Sequence, residues 1–132
     1  MKEQTKAWLE FASRDIDAAM KLAESEYLAN IVLFHSQQCV EKSLKALLEE
    51  NGQNVPKIHG VNRLHNLVVE STGITLPVTA DELDLIDDVY IDTRYPGSFG
   101  LLPSGLPSKE QAMSLLEIAE KIHEAVSEKL RS

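Results

Sequence analysis

Cysteine is nearly absent from this chain. Cys39 is the only one in 132 residues, which excludes an internal disulfide and any zinc cage built on several thiolates. Such sparing use of cysteine fits a reducing compartment. Long apolar runs are missing too: the densest stretch, Ile31 to Phe34, falls far short of the roughly 20 residues of a membrane span. The first residues, Met1 to Trp8, turn amphipathic at once and lack the apolar core of a signal peptide, so the expected location is the cytoplasm, with no membrane partner. Positive charge is in short supply. Thirteen Lys and Arg against twenty-one Asp and Glu leave a net charge of −8, so the overall field repels phosphates and argues against nucleic-acid binding by bulk attraction. Only a small, locally basic site is compatible with that balance. Also missing are a glycine-rich phosphate loop after a strand, a Gly-x-Ser-x-Gly elbow and a paired-cysteine motif. His59 and His65 stand six apart and miss the i,i+4 spacing of a zinc helix, so no metal site and no cofactor are expected.

What is present is 43% hydrophobic and 26% charged, the balance of one globular domain over residues 1–132 with enough length for a core. The periodicity is helical almost throughout. Trp8, Ala12, Ile16, Ala19 and Ala23 follow the three-and-four spacing of one helix face. A second helix is expected from Tyr27 to Glu50, with Leu33, Val40, Leu44, Leu47 and Leu48 inward and Asn51-Gly52 as its stop. A shorter third helix fits Val61 to Ser71, closed by Gly73. Thr79 to Glu82 and Ser108 to Gln111 are capping boxes, each preceded by proline, and open a fourth and a fifth helix. The fourth carries Leu83, Leu85, Ile86, Val89 and Tyr90 and ends near Arg94, because the residue before Pro96 avoids helix geometry. The fifth carries Ala112, Leu115, Leu116, Ala119, Ile122 and Val126. The fold class is therefore all-α: an antiparallel bundle of four long helices plus one short one.

Three groups of residues could carry chemistry. On the second helix His35, Gln38, Glu41, Lys42 and Lys45 project within one arc, opposite the apolar stripe. They read either as a solvated face, with Glu41 and Lys45 as an i,i+4 pair, or as the wall of a cleft. On the fourth helix Asp87, Tyr90 and Arg94 share a face, and Tyr95 follows. Arg94 fits a helix C-terminus through the dipole, and its planar fork equally suits a phosphate. The connection from Tyr95 to Ser108 holds three glycines and three prolines, yet also Phe99, Leu101, Leu102 and Leu106. Four large apolar groups in a connection imply that it folds back on the bundle or docks a partner.

Taken together, Ser13-Arg-Asp15 with Ala18 and Ala19, then Gln38-Cys-Val-Glu41-Lys42-Ser-Leu-Lys45-Ala46-Leu-Leu48, His65-Asn-Leu67, Tyr90 and Arg94-Tyr95-Pro96 resemble the HEPN family over residues 5–130. The resemblance implies a bundle of four or five helices that dimerises through its central helices. It also implies pairing with a minimal nucleotidyltransferase encoded nearby, often in toxin–antitoxin modules. Many family members are metal-independent ribonucleases marked by an arginine followed, after four to six residues, by a histidine. Arg94 matches the arginine, but positions 99, 100 and 101 are Phe, Gly and Leu. None of these transfers a proton, so the signature is incomplete and enzymatic activity stays open.

Two functional readings follow. In the first, a homodimeric interaction module binds a nucleotide, an RNA or another phosphorylated ligand with Arg94, Tyr95, Tyr90, Lys42, Lys45, Gln38 and Glu41. Its apolar segment with Phe99, Leu101, Leu102 and Leu106 then forms the dimer or partner surface. In the second, the protein is a ribonuclease toxin with a variant site around Arg94. The acidic composition favours the first, because a free ribonuclease gains from a positive cleft.

Overall fold

The computed structural model describes residues 1–94 and 107–131, with side chains described for 1–88 and 107–131. The described elements are α1 (Glu3–Leu22), a 3-10 turn (Glu26–Leu28), α2 (Ala29–Glu50), α3 (Val61–Thr72), α4 (Ala80–Arg94) and α5 (Lys109–Arg131). Among the described residues there is no strand, and the arrangement is the expected all-α bundle with one short helix, α3.

Local chemistry explains the boundaries. At α4 the Thr79 hydroxyl accepts from the Glu82 amide at 3.1 Å, while the Glu82 carboxylate accepts from the Thr79 amide at 3.0 Å. At α5 Ser108 and Gln111 make the same reciprocal pair at 3.1 and 2.7 Å. Gly73 ends α3 with φ 74°, a left-handed conformation that a Cβ would disfavour, and Gly52 turns the chain after α2 with φ 73°. The second helix starts two residues later than its periodicity suggests: Tyr27 lies in the 3-10 turn and its ring is exposed. The start of α3 has no side-chain cap of its own. Instead Asp87 reaches across from α4, its two oxygens accepting from the amides of Val61 at 2.7 Å and Asn62 at 3.2 Å. The residue expected beside Tyr90 and Arg94 on one helix face thus ties α4 to the positive end of α3.

α2 occupies the centre, with α1, α3, α4 and α5 packed around it. α1 runs antiparallel to it, as Thr5 donates to Glu50 at one end while Asp15 meets His35 and Lys42 further along. The apolar stripes of α1, α2 and α5 enter one core. On α4, Leu83 and Ile86 are buried, but Leu85, between them in sequence, is 45% exposed. At 100° per residue Leu85 stands about 200° around the axis from Leu83 and about 100° from Ile86, so it points off the face those two share.

Two histidines make the fold sensitive to mild acid. Burial holds the His65 and His123 rings below their ordinary value of 6.5. The unfolded chain then binds protons that the folded chain refuses, so their stabilising contribution is full above pH 6.5 and is lost as pH falls through the folded values. The carboxylates of Glu50 and Glu82 are held below 4.5, first by hydrogen bonds from backbone amides, and their contribution fades only at lower pH. The melting temperature is expected to fall between pH 7 and pH 5, and to fall less when His65 and His123 are both replaced by glutamine. Circular dichroism melts across that range measure both.

Candidate functional site

The polar residues of α2 do not form one wet surface. Glu41 and Lys45 were open to a solvated-face reading on sequence; the structure buries both, with each side chain 6% exposed. α2 is ringed by neighbours, so its polar arc has no solvent to face where α1 and the 51–60 connection cover it. Lys45 Nζ donates to Glu41 Oε2 at 3.0 Å, and His59 Nδ1 lies 3.2 Å from Glu41 Oε1. Gln37, fully buried, donates to Glu41 at 3.4 Å and to the carbonyl of His59 at 3.1 Å, and Gln38 donates to Gln37 at 2.7 Å. The Lys45 ammonium also stands 5.6 Å from the centre of the Trp8 ring. A continuous polar chain therefore crosses from the middle of α2 to His59 at the surface. It opens onto a groove of about 450 Å³ beside Trp8, Val55 and Lys57. Glu41 pairs within its own helix with Lys45 and across to His59.

Lys42 belongs to a second cluster. Its ammonium donates to Asp15 Oδ2 at 2.6 Å, and the other Asp15 oxygen receives His35 Nδ1 at 2.8 Å. Asp15 is nearly buried, whereas His35 and Lys42 keep a partly exposed edge. Beside them the ring of Phe11, half exposed, lies 5.9 Å from Lys42 Nζ and 5.6 Å from the Arg14 guanidinium carbon. Sequence reasoning named Asp15 only through the family likeness and gave Phe11 no role. One signal could have found Asp15: it falls on the same α1 stripe as Trp8, Ala12 and Ala19, and a carboxylate on an apolar stripe needs a cation opposite.

The arrangement limits the chemistry. Cys39 is buried and its thiol is pushed up to about 12, first by that burial, so it is no nucleophile at neutral pH. Among the described residues no three His, Cys, Asp or Glu side chains converge on one point. None of the helices described is long and apolar enough to cross a membrane. The backbone of α4 continues to Arg94, while the side chains of Tyr90 and Arg94, and all of Tyr95, Phe99, Leu101, Leu102 and Leu106, lie outside the described residues. The site residues that the structure does bring together on α2 divide into the inward Glu41–Lys45 group with Gln38 at its edge, and the outward Lys42.

A helical bundle centred on a Gln-Cys-Val-Glu-Lys-Ser-Leu-Lys helix and followed by Arg94-Tyr95-Pro96 matches the family model described as HEPN domain, over residues 5–130. The chain belongs to the HEPN family. Its likeness to solved structures runs through nearly the whole chain. A crystal structure of TT1696 from Thermus thermophilus is 26% identical, aligns over 97% of this chain and 99% of its own, and superposes with a TM-score of 0.77. ST0689, an archaeal HEPN homologue, is 23% identical over 98% of each chain with a TM-score of 0.68, a likeness of fold. Among curated proteins, one from Methanocaldococcus jannaschii named "Putative toxin MJ1304" is 30% identical across 96% of this chain and 88% of its own.

Proposed function

We propose that this HEPN protein is the toxin-like half of a two-protein module in the cytoplasm. It acts as a homodimer that binds a nucleotide, an RNA or another phosphorylated ligand and associates with a minimal nucleotidyltransferase. The observation that carries the binding reading is Lys42. In a chain of net charge −8, α2 presents this one ammonium at a partly exposed edge, fixed by a single carboxylate oxygen with further N–H donors to spare. In this reading Lys42, Gln38, Tyr90, Arg94 and Tyr95 meet the ligand. The buried Glu41–Lys45 pair holds α2 in place beneath them, since a charge already paired and desolvated is costly to redirect. The name of the archaeal relative supports the toxin-like role. The apolar segment with Phe99, Leu101, Leu102 and Leu106 supplies the dimer or partner surface, because large apolar groups cluster at the centres of such interfaces.

The test is co-purification with the nucleotidyltransferase encoded alongside, with the oligomeric state read by light scattering. Phe99→Asp with Leu102→Asp is expected to give a soluble protein that has lost its partner. Retained association would remove the segment from the interface. A second reading, a ribonuclease that steadies the scissile phosphate with Arg94, follows from Arg94 matching the arginine of the family's ribonuclease signature. Cleavage of labelled RNA under chelation by wild type, and not by Arg94→Ala, would favour that reading. No cleavage by either is the outcome expected for a binding module.

A further inference from the structure

The groove beside Trp8 lies between α1, the C-terminal part of α2 and the connection that follows it. Its volume of about 450 Å³ falls within the roughly 300–1,000 Å³ of small-molecule sites. Lys45 stands between Glu41 and Glu49 on one face of α2, four residues from each. It turns to Glu41, at 3.0 Å, and makes no ion pair with Glu49. The half-buried Glu49 therefore lines the groove with a carboxylate that has no cation or hydrogen-bond donor among the described residues. Lys57, from the connection, lines the same groove; it is exposed and likewise unpaired. Two opposite charges thus face one groove without meeting each other. Trp8, Val55 and Pro56 supply apolar wall. The Trp8 Nε1–H is shut off from water and has no acceptor among the described residues. Lys45, with its side chain only 6% exposed, commits one N–H to Glu41 and keeps others unspent. Buried donors without an acceptor are rare in folded proteins, and each calls for a reason.

We infer that this groove binds a free amino acid with an apolar side chain. Lys57 takes the ligand's carboxylate and Glu49 its ammonium, each as a charge-assisted hydrogen bond. Trp8, Val55 and Pro56 cover the apolar side chain. A ligand oxygen gives the leftover donors of Trp8 and Lys45 the acceptor they lack. Charge singles out the zwitterion. A simple carboxylate leaves Glu49 unmatched, and an amine leaves Lys57 unmatched. A phosphate brings no cation for Glu49 and sets its own negative charge against it. Structural needs explain the Lys45–Glu41 pair, which neutralises two buried charges. They do not require a lysine and a glutamate left unpaired at one groove, nor an orphaned indole N–H beside them. The site is separate from the Lys42 face, and it stands or falls independently of the ligand-binding reading proposed above.

Trp8 is the only tryptophan in the chain, so its emission reports this groove and no other. The full chain is titrated with leucine, with isocaproate (leucine without its ammonium), with isoamylamine (leucine without its carboxylate), with glycine and with inorganic phosphate. Calorimetry runs in parallel and registers any binding that leaves the emission unchanged. Leucine is expected to give a saturable change and to bind about tenfold or more tightly than isocaproate or isoamylamine, each of which lacks one charge-assisted contact. Glycine, with no apolar body to cover Trp8, should bind more weakly by a similar factor. Lys57→Met should lower leucine to about the level of isoamylamine while leaving isoamylamine itself unchanged. Glu49→Gln should lower leucine to about the level of isocaproate. Neither residue belongs to the core, and circular dichroism should show both variants with the helix content of wild type. Equal affinity for leucine and isocaproate would overturn the inference, as would a preference for leucine that survives both variants in folded protein. Phosphate binding without leucine binding would assign the groove to inorganic anions and overturn it too. Absence of binding by both methods would leave the groove without a ligand of this class, and the inference would fall.

Discussion

Lys45→Ala is expected to destabilise the fold by about 3–5 kcal/mol, the cost of stranding one half of a buried ion pair. Its ammonium is all but excluded from water and bonds Glu41 at 3.0 Å. Removing it leaves a buried carboxylate whose remaining partners are the long 3.4 Å contact from Gln37 and the more exposed His59. The loss therefore exceeds that of an exposed i,i+4 pair, which is worth about 0.3–0.5 kcal/mol. Urea denaturation followed by circular dichroism measures it. The double replacement Glu41→Gln with Lys45→Met removes both charges and should recover much of the loss, because the carboxylate's uncompensated desolvation is what destabilises the single variant. If Lys45→Ala costs under about 1 kcal/mol, the pair is behaving as a surface pair, and α2 is less enclosed than the structure shows.

Leu44→Ala is expected to cost about 2–5 kcal/mol, and it tests the same enclosure with an uncharged probe. Leu44 has no exposed surface and lies about two-thirds of the way along α2, which packs against every other described helix. A cavity there borders α2 and its neighbours together, so the site has little freedom to collapse, and the result should fall toward the upper part of that range. Leu85→Ala provides the contrast. At 45% exposure on the outer side of α4 it should change stability by no more than about 0.5 kcal/mol, although both are leucines within helices. Chemical denaturation of the two variants side by side reads the difference.

Much of the site's setting was legible before any coordinates. Thr79 with Glu82, and Ser108 with Gln111, announced α4 and α5 because a capping box is a contact between residues three apart, carried wholly by local sequence. Gly73 and Gly52 marked ends for the same reason. The clusters that give α2 its chemistry were not legible. Asp15 meets Lys42 across 27 positions, His59 meets Glu41 across 18, and Asp87 caps α3 from 25 and 26 positions away. Nothing in the residues near Asp87 distinguishes a carboxylate that serves another helix from one that faces water. The arc of α2 was assigned correctly as a face, yet its environment depends on which neighbours cover it, and periodicity carries no information about that.

Local sequence alone settled that this chain is helical, where α4 and α5 begin, where α2 and α3 end, and that it belongs with the HEPN proteins, because hydrophobic period, caps and motif spacing are local properties. The tertiary structure alone decided that Glu41 and Lys45 are buried partners while Lys42, one residue from Glu41, faces outward with His35 and Phe11. Two side chains adjacent in sequence diverge by about 100° around a helix axis, and only the packing of α1 against α2 settles which of them keeps access to water.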